Sequence, residues 1–237
     1  MAHGSRSYCP SVPRALLGAL LLLAVGGGCS QRPPLRIVIA PGPTAALLVT
    51  AKARGFFVGQ ATSTRLIVRR SPAAARGAFA HGKAEGLAGT LADVLAVIGT
   101  SRHRPRIVLV TAVSGEQADV LAFEAGAIRA RAGEIAAIVR AVEEARRWAL
   151  ANPGKIEDLA RGQRVSAGGA GGRGTWVVAM VPALPEQRAY LAPGGGLERL
   201  GMRLHASMQG ATLGRAAGPR LVLDLAAPEV VELAEGL

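Results

Sequence analysis

Leu35-Arg-Ile-Val-Ile-Ala-Pro-Gly-Pro-Thr44 decides how this 237-residue chain is read. Leu35–Ala40 is an apolar, β-rich run that predicts a strand. Pro-Gly-Pro interrupts it, and Thr44–Arg54 then carries Ala, Leu and Val at helical spacing. The pattern continues outward. Strand runs at Arg65–Arg69, Gly86–Gly89 and Arg106–Val113 alternate with helical stretches at Pro72–His81 and Leu91–Ile98. Strand then helix, repeated with short loops, predicts βαβ units and an α/β fold with a mostly parallel sheet and flanking helices. Ligands of such sheets bind outside the carboxyl ends of the strands, where loops enter helices. Those loops nominate Gly42, Pro43, Thr44, Gly89, Thr90, Leu91 and Ser114 as ligand-binding candidates.

Thr44 stands just before an apolar helix and reads as its N-cap. Thr90 and Asp93 have capping-box spacing, with Asp in place of the longer Glu. Two helix starts aimed at one crevice would offer backbone N–H groups and positive dipole ends to an oxyanion. The competing reading, left open by the sequence, is that Thr44 and Thr90 only cap helices. Gly55, after the turn Ala51–Arg54, fits a helix C-cap, where glycine accepts positive φ.

Beyond Ser114, the stretch Ala118–Phe123 predicts an added strand that runs antiparallel. Glu134–Leu150 predicts a long helix with Ile135, Ile138, Val139, Val142, Ala145 and Ala149 on one face. Arg140 with Glu144 and Glu143 with Arg147 have the spacing of i,i+4 ion pairs. Asn152-Pro153-Gly154 stops the helix. The glycines of Gly168–Gly174 read as a flexible linker. No apolar strand precedes them and no Gly-Lys-Ser/Thr follows, so a phosphate loop is rejected. The tail is expected to be looser, with a strand at Thr175–Val181, helices at Glu186–Leu191 and Leu197–Gln209, an apolar piece at Arg220–Leu223 and a helical turn at Pro228–Leu233.

Half of the sequence is hydrophobic, which argues against disorder throughout, and only 3% is aromatic, so Ala, Val, Leu and Ile must build the core. At the amino end Arg6 and Arg14 flank the short apolar run Ala15–Val25, followed by Gly26-Gly27-Gly28-Cys29-Ser30, the parts of a secretory signal. A Cys directly after small residues resembles the bacterial lipobox and implies lipidation at Cys29; Gly26, where the lipobox usually has Leu, departs from it. An ordinary signal cut near Gly28 is the alternative. The net charge of +12 comes from scattered residues, nearly all Arg, without interleaved aromatics. With an export signal, that pattern does not point to nucleic acid. Beyond the signal, the histidines His81, His103 and His205 are widely separated, and neither an HExxH nor a G-x-S-x-G motif occurs. The expectation is a protein without catalytic residues, metal or cofactor.

Leu35–Thr44, then Ala51-Lys-Ala-Arg-Gly-Phe-Phe57, then Gly82-Lys-Ala-Glu-Gly-Leu-Ala-Gly-Thr-Leu-Ala-Asp-Val-Leu95, and finally Arg106–Ser114 together resemble the first lobe of periplasmic substrate-binding proteins of ABC importers. The likeness is to the nitrate, sulfonate, taurine and thiamine-precursor class, with Glu85 where that class usually has Asp. The segment Ser114–Phe123 and the helix ending in Asn152-Pro153 resemble the family's return segment and carboxyl-terminal part, so the second lobe of the clamshell is missing from its expected place. The resemblance implies a periplasmic-binding-protein type II-like first lobe with C-terminal helices. It also implies a monomeric, lipid-anchored solute-binding component that captures a small polar or anionic ligand and docks on ABC permease subunits. The organisation expected is a signal over 1–28, a ligand-binding lobe over 35–125, a helical segment over 126–161, and a linker with a partly helical tail over 162–237. The alternative is a truncated, non-transporting remnant or interaction lipoprotein that keeps the first lobe.

Overall fold

The chain from residue 35 builds five strands and nine helices among the residues that the computed structural model describes, which are 32–98, 101, 103–114, 117–165, 183–209 and 225–236. The run Ala15–Val25, Cys29, the glycines Gly168–Gly174, Thr175–Val181 and Arg220–Leu223 lie outside the described residues. In chain order the elements are β1 (Leu35–Ile39), α1 (Pro43–Ala53), α2 (Phe56–Gly59), β2 (Thr64–Val68), α3 (Pro72–Ala80), β3 (Gly86–Thr90), α4 (Leu91–Ile98), β4 (Pro105–Ser114) and β5 (Gln117–Glu124). The helices α5 (Ala125–Ala151), α6 (Pro153–Gly162), α7 (Leu184–Leu191), α8 (Gly196–Gln209) and α9 (Pro228–Glu235) follow.

The sheet runs β2-β1-β3-β5-β4. β1 pairs in parallel with β2 and β3, and β5 is inserted antiparallel between β3 and β4. The expected added strand is therefore an interior, antiparallel strand of the sheet. Side-chain alternation along the strands separates two cores. Leu35, Ile37, Ile39, Leu121 and Phe123 face α1, α5 and α6, whereas Val38, Leu87, Val120 and Ala122 face α3, α4 and α7. Helices thus cover both faces of a sheet that is buried on each side.

α5 begins at Ala125, earlier than the predicted Glu134, with a kink at Arg131 (φ −141°, ψ 32°). The Glu124 side chain caps it by accepting from the Ala127 N–H at 2.8 Å. The predicted apolar face packs on the sheet: Ile135, Ile138, Val139, Val142, Ala145 and Ala149 are all buried. The predicted i,i+4 ion pairs are replaced. Gln60, arriving from the end of α2, accepts from Arg140 Nε at 2.6 Å and donates to Glu144 at 2.5 Å. Glu143 pairs with Arg146 at 2.6 Å instead of Arg147. A side chain delivered by tertiary packing has displaced the local partner. Asn152 ends α5 as expected, and Pro153, whose missing N–H costs nothing at a first helical position, starts α6 at once.

The described part of the tail is tightly held, not loose. β4 is an edge strand, and its bulged backbone would leave polar groups unpaired. Gln187 of α7, fully buried, accepts from Val110 N–H at 2.9 Å and donates to Val110 C=O at 2.6 Å, taking the place of a neighbouring strand. Ala227 N–H donates to Ile107 C=O at 2.8 Å, and Val230 and Val231 of α9 are buried in the two cores.

Candidate functional site

At the carboxyl edge of the sheet a crevice of about 340 Å³, open solvent included, is lined by Gly42, Thr44, Gly89, Thr90, Asp93 and Asp119, with Pro72 and Ala75 of α3 at its side. Three strand ends meet there. β1 leaves through Ala40-Pro41-Gly42 into α1, and β3 passes from Thr90 directly into α4. β5, running the opposite way, starts where its neighbours finish, which brings Asp119 opposite Thr90 on one side and Ala112 on the other.

Of the seven candidates from the sequence, Gly42, Thr44, Gly89 and Thr90 line the crevice. Pro43 takes the first turn of α1, Leu91 is fully buried in the core, and Ser114 ends β4 opposite Gln117 at the hairpin. Thr44 is not the N-cap of its helix. That position belongs to Gly42, because Pro43 with its fixed φ already suits the first helical position. Thr90 and Asp93 do form a reciprocal cap. The Thr90 N–H and hydroxyl donate to Asp93 Oδ2 at 2.9 and 2.8 Å, and Asp93 N–H donates to Thr90 Oγ1 at 3.1 Å.

Two threonines extend this polar network inward. Register shifts in β4 between Val110 and Ala112 leave Thr111 without a direct partner, and such a bulge re-aims its side chain. The Thr111 hydroxyl donates to the Asp119 carbonyl at 3.1 Å. Its single proton is committed there, so in the 2.5 Å contact between Thr44 and Thr111 the Thr44 hydroxyl is the donor. Thr44 therefore has no proton left for an oxyanion. The Gly42 N–H is also engaged, donating to Val165 C=O at 3.3 Å. The seat expected for an oxyanion has its Gly42, Thr44 and Thr90 donors turned toward the protein itself.

Two carboxylates take their place. Asp93 is 5% exposed and pairs with Arg76 of α3 at 2.5 Å. Asp119 forms no side-chain hydrogen bond or ion pair among the described residues. Burial, with the Asp93 charge added, pushes its carboxyl from 3.8 up to about 6. A Cβ placed on Gly42 would lie 3.6 Å from Asp119 Oδ1, so this carboxylate sits against the amino end of α1, where the helix dipole favours negative charge. Asp119 was not among the sequence candidates. The signal was present in the topology, since an antiparallel strand must begin at the edge where its neighbours end.

No protein-family model matches the sequence, and no curated protein does. Among solved structures, a protein of Bordetella bronchiseptica RB50 superposes with a TM-score of 0.61 at 10% identity, covering 86% of this chain and 98% of that one. A conserved Candida albicans gene product, described as exhibiting the generic periplasmic binding protein structural fold, superposes with a TM-score of 0.59 at 8% identity over 86% and 96% of the two chains. This chain has that α/β fold. At such identities the likeness concerns the fold and does not extend to the nitrate, sulfonate and taurine class.

Proposed function

We propose that the chain is a solute-binding protein whose small polar ligand sits in the carboxyl-edge crevice. The observation that carries this reading is the crevice itself: it occupies the edge at which open α/β sheets take their ligands, and the Asp119 carboxylate, which has no partner among the described residues, faces it. On this reading the chain binds without catalysing a reaction and works as a monomer. It is exported and lipid-anchored through Cys29, and it delivers its ligand to ABC permease subunits. The anchor and the permease rest on the sequence resemblances. No helix among the described residues is long and apolar enough to cross a membrane.

One observation favours the second reading, a remnant that no longer transports. β4 and β5 are separated by only residues 115–116, the point at which a second lobe would leave and return. An open crevice buries less of a small ligand than a closed clamshell does. A thermal-shift screen of small polar solutes, followed by amide chemical-shift mapping, tests the binding function. Solute-binding predicts at least one solute that raises Tm and shifts the signals of Gly42, Gly89 and Thr90. A complete screen that leaves those signals in place contradicts it.

A further inference from the structure

We propose that the ligand presents a positively charged hydrogen-bond donor, an ammonium or guanidinium group, to the carboxylate of Asp119. The inference rests on the solute-binding reading and adds the sign of the ligand. It runs against the oxyanion expectation for three reasons. Four of the donors that an oxyanion could use are already bonded within the protein: Gly42 N–H to Val165, Thr90 N–H and hydroxyl to Asp93, and the Thr44 hydroxyl to Thr111. Arg76 of α3, beside the crevice, is held on Asp93 at 2.5 Å. Asp119 itself stands at the amino end of α1, so a ligand anion approaching that helix end would come up against the protein's own carboxylate. A ligand anion would meet that charge in a partly desolvated crevice, where repulsion is weakly screened. A cation would give Asp119 the partner it lacks among the described residues and form a short charge-assisted hydrogen bond.

The test is a titration of the full chain at pH 7.5 with ethanolammonium chloride, guanidinium chloride at low millimolar concentration, sodium nitrate, sodium ethanesulfonate and neutral acetamide. Calorimetry gives the affinity and amide shifts of Gly42, Gly89 and Thr90 give the location. The cationic probes should bind at the crevice, and Asp119→Asn should weaken them by tenfold or more. For the wild type, lowering the pH from 7.5 to 4.5 should weaken them as well, because protonation removes the charge; this arm stands even if the variant fails to fold. The other charged groups near the crevice among the described residues are Asp93 of α4 and Arg76 of α3, which pair with each other. Cation binding that is indifferent to both changes overturns the inference. Crevice shifts caused by nitrate, ethanesulfonate or acetamide alone overturn it too, while leaving the solute-binding reading intact. If no probe moves the crevice signals, the inference fails, and the wider solute screen then decides the reading beneath it.

Discussion

Thr44 and Thr111, 67 positions apart, hold a 2.5 Å hydroxyl–hydroxyl hydrogen bond at a site where the first is 2% exposed and the second not at all. This bond joins the start of α1 to the bulge of β4 and, through the Thr111 proton, to the backbone of Asp119. Thr111→Val should leave the Thr44 hydroxyl and the Asp119 carbonyl without this partner and cost about 1–3 kcal/mol, the usual penalty for unsatisfied buried polar groups. Thr44→Val made in the Thr111→Val background should cost little more, because both ends are then apolar. Urea denaturation of the two single variants and the double variant reads the coupling directly. Additive losses would mean that the hydroxyls do not act as a pair.

Asp119 should make the unliganded protein less stable at neutral pH than in mild acid. Its carboxyl titrates near 6 in the folded chain against 3.8 in the reference state. The folded state therefore holds the proton more tightly, and stability falls as pH rises from about 4 to about 6. The full cost above that window is at most about 3 kcal/mol, and solvent at the crevice mouth reduces it. Asp119→Asn should accordingly raise stability by about 1–3 kcal/mol at pH 7.5 and leave it nearly unchanged at pH 3.5, even as ligand binding is lost. Melting temperatures of both proteins across pH 3.5–8 check this. A variant less stable than the wild type at pH 7.5 would show that Asp119 is a structural group.

Gln187 should matter as much as a core residue although it lies in the tail. Its amide supplies both hydrogen bonds of Val110 on the outer side of β4. Gln187→Leu keeps the approximate volume and strands one donor and one acceptor, for an expected loss of about 2–4 kcal/mol. Amide hydrogen exchange at Val110 should quicken in the variant. Unchanged protection there would indicate that another group covers the strand.

How much of this was legible in the sequence depends on how local each feature is. The order of strands and helices through Phe123 follows from alternating apolar runs and Gly/Pro breaks, and β5 was visible as an antiparallel return. The start of α5 was not, because Gly126 and Gly133 weaken the helical signal of Ala125–Gly133, whereas the Glu124 side-chain cap that secures it appears only in three dimensions. The ion pairs on α5 were misassigned because Gln60, more than 70 positions away, reaches them first. At the site, Thr90 and Asp93 were legible as a cap because the bonds that join them lie within one turn. Asp119 was not, since its importance comes from its burial beside Asp93, which only the packed sheet reveals. The engagement of the expected oxyanion donors was hidden for a related reason: whether a donor is available depends on its other partner, here Val165 for Gly42 and Thr111 for Thr44.

The most direct measurement is a crystal structure of the chain with ethanolammonium, or with whatever solute the protein retains on purification from its native host. The ligand's cationic nitrogen should lie about 3 Å from an Asp119 carboxylate oxygen, in the space bounded by Gly42, Thr44 and Thr90. A solute bound elsewhere on the molecule, or one in the crevice that turns an anionic group toward Asp119 at neutral pH, would contradict this.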